Sequence, residues 1–406
     1  MEASITMWQA VALSSALGWI VASSLMSLTT RVRSLVRPWV TRHVLAETAL
    51  ILRIQSLHCE SLDKLFSVVS CVVSVPFYTG FLPLLFWSGH SKLARQMTLL
   101  MAFCDYIGNS IKDTVSAPRP SCPPVRRVTA TQDEKENAME YGLPSSHALN
   151  TVCLSGYLLH YVLTSGPEKD LATTLIGFTL VSVLVALIGI GRIYLGMHSL
   201  IDIAAGISVG LVILAFWLLV RGYVDDFIIS GQNVTSFWAC LSFLLFFAYP
   251  TPEFPTPSFE YHAAFTGVAF GIVSGVQQTY QHFHNEGVPR IFSSLPLMVF
   301  LGRVLIGIPT ILVVKFCSKA LAKWLLPVVC NTLGIQIRSS CYIPSLKGNE
   351  NIKKSDIKQL GYLQRIVSIF PLKTYDVDSG IRFIQYAGLA WSVVDLVPSL
   401  FSHLNL

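Results

Sequence analysis

Charge is scarce in this sequence. Only 13% of the 406 residues are Asp, Glu, Lys or Arg, and 52% are hydrophobic, whereas soluble domains contain about 25% charged residues. This deficit excludes an ordinary soluble domain and indicates an integral membrane protein. The net charge of +6 comes without a basic tract, so no nucleic-acid partner is expected. The nine cysteines form no C-x-x-C pair and no framework spacing, which argues against a zinc ribbon or a disulfide scaffold.

Long apolar runs, by contrast, are abundant. About 20 apolar residues are needed for a helix to cross a bilayer core of ~30 Å. Such runs occur at about 8–28, 65–88, 94–112, 147–164, 173–191, 199–220, 235–250, 263–279, 295–319 and 383–403. They predict an all-α, polytopic membrane helix bundle of about 9–10 spans.

The runs divide the chain into three parts. Residues 1–64 hold a first span and the basic segment Arg31–Glu60, which is typical of an amphipathic helix on the membrane surface. Residues 65–225 form the predicted core, and residues 226–406 add further spans and a polar tail. Asp225 and Asp226, which follow the sixth run, are expected to be solvated.

Glycines at a spacing of four residues stand in two of the runs. Gly206 and Gly210 show it once, and Gly267, Gly271 and Gly275 extend it over two turns. Small residues at this spacing allow membrane helices to approach closely. We therefore interpret them as helix-packing positions.

The polar residues that interrupt the core are concentrated in the stretch 191–202. Arg192, His198 and Asp202 lie there between two apolar runs, where ionisable residues are functional candidates. If the chain is helical after Gly196, His198 and Asp202 are four apart and share one face. Asp202 can then orient the imidazole as a base or nucleophile. An Arg–Asp pair with an uninvolved His is the alternative from this stretch alone.

Two further polar stretches fall at the ends of neighbouring runs. Lys112 and Arg119 close the third run, and the sequence Pro-Ser-Ser-His, residues 144–147, opens the fourth. A Ser just before an apolar run predicts a helix start, whose free N–H groups bind anions. Because the fourth and fifth spans form a hairpin, we expect all three stretches to meet on one side of the membrane.

Together the stretches predict a site for a dianionic tetrahedral group. Lys112, Arg119 and Arg192 supply permanent cations that match phosphate oxygens. His198, steadied by Asp202, can attack phosphorus, and His147 can protonate the departing alkoxide.

The three stretches have the spacing Lys112-x6-Arg119-Pro120, then Pro144-Ser145-x-His147, then Arg192-x5-His198-x3-Asp202. This pattern resembles the type 2 phosphatidic acid phosphatase superfamily. The resemblance implies a six-helix phosphatase core and a metal-independent mechanism through a phosphohistidine, with no cofactor. It implies that His198 is the nucleophile, that Asp202 orients it, and that His147 is the general acid and then the base. The phosphate would be held by Lys112, Arg119, Ser145, Ser146 and Arg192.

Two positions depart from the commonest pattern of that superfamily. Ser146 stands where Gly is frequent, and Gly191 stands where Ser is frequent. The second change removes one possible hydroxyl contact to phosphate. The Pro-Ser-Ser-His sequence and the extra spans resemble the branch that dephosphorylates sphingosine 1-phosphate and other long-chain base phosphates.

These features predict a phosphoric monoester hydrolase of sphingolipid metabolism, with a lipid phosphate as substrate and membrane lipids as surroundings. Phosphatidate, an isoprenoid diphosphate or a sugar phosphate are alternative substrates, and a transporter of phosphorylated solutes is the alternative class. The resemblance implies the endoplasmic reticulum membrane and a lumenal active site. The sequon at Asn233 would then face the cytosol.

Overall fold

The computed structural model describes residues 6–129, 135, 138, 140–165, 170–253, 256–285, 287–291, 295–335, 337–338 and 375–406, and nearly all of them are helical. The helices are α1 (Met7–Leu25), α2 (Leu28–Ala46), α3 (Thr48–Gln55), α4 (Glu60–Cys71), α5 (Val75–Trp87), α6 (Ser91–Val115), α7 (Ser146–Thr164), α8 (Leu171–Tyr194), α9 (Leu200–Ser230), α10 (Val234–Ala248), α11 (Pro257–Thr279), α12 (Leu297–Thr332), α13 (Val377–Val394) and α14 (Leu396–His403). A π-helical turn, Tyr280–His284, follows α11, and the two-residue strands β1 (Ile337–Arg338) and β2 (Tyr375–Asp376) pair in parallel.

All ten apolar runs are helical, and the predicted all-α polytopic class is confirmed. Among the described residues, five helices are long and apolar enough to cross a membrane: α1, α8, α9, α12, and α13 with α14. The bent pair α4–α5 would raise this number to six. The count is below the predicted 9–10 because helices such as α6 contain buried polar and charged residues, which lower their hydropathy.

Helix α8 shows the lipid-facing character of the bundle most clearly. Its Leu175, Phe178 and Leu180 are 57–65% exposed. Large contiguous apolar surfaces are rare on soluble proteins. This face is therefore suited to lipid, as expected for a multi-pass membrane protein.

The predicted glycine contacts are present. A Cβ at Gly206 would lie 2.6 Å from the Ser145 carbonyl oxygen, so α9 approaches the start of α7 at backbone distance. In the same way, a Cβ at Gly271 would lie 2.3 Å from the Ala387 carbonyl oxygen and would separate α11 from α13. The first contact fixes the helices that contain the motifs, and the second holds the C-terminal helices together.

The segment Arg31–Glu60 folds as two helices rather than one. It is divided between α2 and α3 near Glu47, and Val40, Val44 and Ile51 are buried against the rest of the protein. Arg33 Nη2 donates to the Asp113 carbonyl oxygen at 2.8 Å. The amphipathic pattern thus serves to pack this segment against α6 beside the motif region.

The expectation for Asp225 is wrong. Its side chain is 4% exposed and its Oδ1 lies 2.7 Å from Nε of the buried Arg95 on α6. The carboxylate stays inside because an ion partner compensates its desolvation. Most of the predicted polar tail, residues 339–374, lies outside the described residues.

Candidate active site

The three motif stretches meet at one end of the helices α6–α9. Lys112 lies in the last turn of α6 and Arg192 in the last turn of α8, while Ser145 is the N-cap of α7. Arg119 follows α6, and His198 immediately precedes Ser199, the N-cap of α9. The predicted convergence is thus present in the structure.

Backbone hydrogen bonds join the stretches directly. The Ser145 amide donates to the Asp202 carbonyl at 3.0 Å, and the Gly142 amide donates to the Ala117 carbonyl at 2.9 Å. Each bond links segments that are far apart in sequence. The relative placement of the motif side chains is therefore set by the main chain.

Two of the predicted phosphate-binding cations contact other motif residues. Lys112 Nζ donates to Ser146 Oγ at 3.0 Å. Arg119 Nη1 lies 3.1 Å from His198 Nε2 and donates to the Met197 carbonyl at 2.6 Å. Arg192 is only 2% exposed, so all three cations are held in a water-poor environment where their field is weakly screened.

The hydroxyl of Ser145 has a structural use. Its Oγ accepts from the Ala148 amide at 3.5 Å as an N-cap, and the residue is fully buried. Ser146 and His147 are the first two residues of α7 and are partly accessible. The accessible edge of the site is therefore formed by Ser146 and His147, next to the buried His198.

A shared helical face for His198 and Asp202 would require a helix that starts soon after Gly196. In the structure α9 begins at Leu200, so only Asp202 lies on the helix. The two side chains still approach each other, with His198 Nδ1 3.6 Å from Asp202 Oδ2. Asp202 Oδ2 also accepts from the Ser199 amide at 2.8 Å within a capping box. One carboxylate thus starts the helix and faces the imidazole.

The electrostatic environment keeps His198 neutral. Its side chain is buried, and burial together with the charges of Arg119, Arg192 and Lys112 holds the pKa of His198 well below its usual value. Because Arg119 donates toward Nε2, that nitrogen is assigned as the unprotonated one, with the proton on Nδ1 facing Asp202. A neutral imidazole with this tautomer has a lone pair on Nε2 for attack on an electrophile.

Glu140 is a site residue that the sequence motifs did not indicate. Its Oε1 lies 2.6 Å from Lys112 Nζ and 3.2 Å from Arg119 Nη2, and its backbone carbonyl accepts from Arg119 Nε at 3.1 Å. Burial by itself raises the pKa of the Glu140 carboxyl, but Lys112 and Arg119 outweigh burial and hold that pKa below its usual value. Glu140 is thus an ionised carboxylate between two predicted phosphate-binding cations.

The C-terminal region supports the same site. Ser258, at the start of α11, donates from its hydroxyl to Glu140 Oε2 at 2.6 Å. Tyr249 and Thr256 donate to the buried carboxylate of Asp113 at 2.7 and 3.0 Å. The end of α10 and the start of α11 therefore fix two acidic residues that flank Lys112: Asp113, next to it in sequence, and Glu140, next to it in space. Only the three-dimensional structure reveals this role.

The structure also explains the departure at Gly191. A Cβ at this position would lie 2.8 Å from Cδ1 of Phe66 on α4. A serine would therefore require Phe66 to move. The glycine at this position thus allows α4 and α8 to pack closely.

A separate apolar cavity lies between α5, α6, α11 and α13. Tyr78, Leu82, Met101, Phe265 and Leu389 are among its lining residues. None of the motif residues lines it. We therefore place the chemistry at the polar convergence described above and not in this cavity.

Comparison with known proteins shows the family of this chain. The family model described as "PAP2 superfamily" matches residues 93–226. The lipid phosphate phosphatase delta of Arabidopsis thaliana is 64% identical, over 100% of this chain and 98% of the relative. The chain belongs to the PAP2 superfamily. It is a phosphoric monoester hydrolase, as the motif chemistry predicted.

More distant relatives belong to the predicted branch. The dihydrosphingosine 1-phosphate phosphatase C823.11 of Schizosaccharomyces pombe is 27% identical over 92% of this chain and 91% of its own length. Mouse sphingosine-1-phosphate phosphatase 2 is 28% identical over 59% of this chain and 68% of its own length. A bacterial transmembrane phosphatidylglycerolphosphate phosphatase of this superfamily superposes with a TM-score of 0.35 at 18% identity, covering 54% of this chain and 98% of its own.

Proposed function

We propose that this enzyme hydrolyses sphingoid long-chain base 1-phosphates to the free base and phosphate, through a phosphohistidine on His198. The observation that carries the mechanism is the placement of His198. Its Nε2 lies 3.1 Å from Arg119 Nη1, and its Nδ1 faces Asp202. The nucleophilic nitrogen is thus directed at a group that binds phosphate oxygens.

In the first half of the reaction, His198 Nε2 attacks phosphorus and the bond from phosphorus to the ester oxygen breaks. The leaving alkoxide takes a proton from His147, which is protonated when substrate binds because the dianionic phosphate offsets the charges of Lys112, Arg119 and Arg192. Asp202 stabilises the positive charge that develops on the imidazole of His198. Lys112, Arg119 and Arg192 stabilise the negative charge on the transferring phosphoryl oxygens.

In the second half, His147 acts as a base. It accepts a proton from water, whose oxygen attacks the phosphohistidine, and the bond between phosphorus and Nε2 breaks. Inorganic phosphate leaves, His198 returns to the neutral state, and His147 is again protonated. Each proton is conserved over the cycle, so these residues need no external acid or base.

The substrate class rests on two supports. The Arabidopsis relative is named for lipid phosphates, and the fission yeast and mouse relatives are named for sphingoid base phosphates. The lipid-facing helices also suit a substrate with a hydrocarbon chain. A transporter of phosphorylated solutes is disfavoured because the chain belongs to a phosphatase family. Phosphatidate and isoprenoid diphosphates are the competing substrates.

We place the enzyme in the endoplasmic reticulum membrane with the motif end of the helices facing the lumen. In this orientation Asn233, at the N-cap of α10 after the long helix α9, lies on the cytosolic side. Its sequon should then stay unmodified. Glycan mapping tests this orientation, and a glycan on Asn233 of the natural protein would contradict it.

A panel of lipid phosphates assayed on the purified enzyme in detergent tests the substrate class. We expect the highest kcat/KM for a sphingoid base 1-phosphate and lower values for phosphatidate and an isoprenoid diphosphate. Acid quenching during turnover with ³²P-labelled substrate should leave no label on the protein, since phosphohistidine is acid-labile, whereas alkaline quenching should retain it. A preference for phosphatidate would assign the same chemistry to another lipid.

A further inference from the structure

A carboxylate inside a phosphate site needs an explanation. Glu140 Oε1 accepts from Lys112 Nζ and Arg119 Nη2 at 2.6 and 3.2 Å. These are the cations that our proposed function assigns to the substrate phosphate. A dianionic phosphate bound to them comes close to a second negative charge, and like charges in a poorly screened site repel each other.

The carboxylate cannot turn away from this neighbour. Ser258 donates from both its hydroxyl and its amide to Glu140 Oε2, at 2.6 and 3.2 Å. Arg119 Nε holds the backbone carbonyl of Glu140 at 3.1 Å. The whole residue is 8% exposed. Oε2 is thus fixed by Ser258, and Oε1 is the oxygen that faces the cations.

When phosphate oxygens draw hydrogen bonds from Lys112 and Arg119, Glu140 Oε1 loses part of its own. A buried carboxylate that loses donors becomes costly unless another donor replaces them. A substrate with a cation close to its phosphate can supply that donor. Sphingoid base 1-phosphates have an ammonium group on the carbon next to the one that bears the phosphate ester.

We propose that Glu140 is a specificity-determining residue that receives the ammonium group of the substrate. The inference rests on the proposed function and extends it. Glu140 selects lipid phosphates that have a positive charge beside the ester. Lipid phosphates with a hydroxyl or an ester at that carbon leave the carboxylate uncompensated. Ser258 positions Glu140 for this contact and gives the C-terminal helices a part in substrate selection.

The test compares two single-chain substrates on the same enzyme preparation. One is sphingosine 1-phosphate, and the other is a lysophosphatidate with a hydroxyl at the corresponding carbon. Because both are measured on one sample, the ratio of their kcat/KM values does not depend on the folded fraction. In Glu140→Gln we expect this ratio to fall by about tenfold or more, as for the loss of a hydrogen bond between charged groups.

Two further variants define the comparison. Glu140→Asp keeps the charge on a shorter side chain, and its ratio should fall less than that of Glu140→Gln. Glu260→Gln is the matched control, because Glu260 lies on α11 two residues after Ser258 and forms an ion pair with Arg382. Its ratio should equal that of the unaltered enzyme.

The possible results separate the inference from the function. Equal losses on both substrates in Glu140→Gln would overturn the inference, since Glu140 would then serve only to hold Lys112 and Arg119. The assignment of the substrate would survive that result. If the unaltered enzyme cleaved lysophosphatidate but not sphingosine 1-phosphate, the proposed substrate itself would be wrong, and the inference would fall with it.

Discussion

The two ends of helix α6 each bury a cation, in very different surroundings. Near its start, Arg95 is 1% exposed and its Nε lies 2.7 Å from Oδ1 of Asp225, which is 4% exposed. Near its end, Lys112 is 2% exposed and shares one oxygen of Glu140 with Arg119. The first end is a pair of one cation and one anion. The second end contains the cations Lys112, Arg119 and Arg192 together with the carboxylates of Glu140, Asp202 and Asp113.

This difference separates a structural ion pair from a binding site. At the first end the charges cancel, so the pair needs no ligand and can only contribute to folding and helix registration. At the second end Lys112, Arg119 and Arg192 all act on the buried His198, whereas Tyr249 and Thr256 hold the carboxylate of Asp113. Several cations that converge on one place away from water favour binding of an anion. Burial does not distinguish the two ends, whereas the convergence of cations does.

The largest effect should follow from removal of the proposed nucleophile. We expect His198→Ala to lower kcat by at least about 10⁴-fold, because residues that act as a catalytic unit lose nearly all activity when one is removed. Hydrolysis of sphingosine 1-phosphate by purified protein in detergent measures it. The elution profile on size exclusion should be unchanged.

His160→Ala is the matched control for this loss. His160 lies on α7, the helix that starts at Ser146, but its Nε2 contacts Arg221 Nη2 at 2.8 Å and no motif residue among the contacts described. Its turnover should stay within about threefold of the unaltered enzyme. Full activity of His198→Ala on any phosphomonoester would refute the phosphohistidine mechanism.

The second prediction places the same substitution at both ends of α6. Lys112→Met should lower kcat/KM by about 10²–10³-fold, the loss that is typical for one group that stabilises transition-state charge. Its stability should fall less than that of Arg95→Met, because Glu140 keeps its contacts with Arg119 and Ser258. Steady-state kinetics and thermal unfolding in detergent measure both quantities.

Arg95→Met should show the opposite pattern. It leaves the buried Asp225 without its partner, and breaking such a pair costs about 3–5 kcal/mol of stability. The activity per folded molecule should be retained. The double variant Arg95→Met with Asp225→Leu should recover most of the stability. A large catalytic loss in folded Arg95→Met would show that the two ends of α6 are functionally coupled.

The sequence predicted the helical membrane class and the eight motif residues because both depend on local or fixed-spacing patterns. A run of apolar residues indicates a span wherever it packs. The sequence also gives the order of the motif residues, and hairpin topology alone brings the ends of neighbouring spans together. These residues are Lys112, Arg119, His147, Arg192, His198 and Asp202. Even here the sequence misjudged a local detail: His198 precedes α9 instead of lying on it.

Glu140, Ser258 and Asp225 show what the sequence could not indicate. Each functions through a partner that is distant in the chain: Glu140 contacts Lys112 and Ser258, and Asp225 contacts Arg95. A lone acidic residue in a loop or after a span is normally solvated. Nothing in the spacing around Asp225 distinguishes it from its neighbour Asp226. The available signal for Glu140 is its place in the sequence, between the stretch that contains Arg119 and the one that contains Ser145.

The smallest predicted effect concerns the pH dependence of stability at the catalytic end. His198 has a pKa well below its usual value because burial and the neighbouring cations disfavour the protonated form. In the unfolded chain a His titrates near pH 6.5. Below that pH the unfolded state therefore binds more protons at this residue, and stability falls as the pH decreases. The contribution of this one residue cannot exceed about 1.4 kcal/mol per pH unit.

His198→Gln removes this contribution, so the difference in Tm between pH 7.5 and pH 5.5 should be smaller in the variant than in the unaltered protein. Arg95→Met, altered at the balanced end of α6, should lose stability at both pH values but keep the full difference between them. Thermal unfolding in detergent at the two pH values measures both variants. An unchanged difference in His198→Gln would mean that this imidazole titrates as in an unfolded chain, and that Lys112, Arg119 and Arg192 do not act on it as their positions imply.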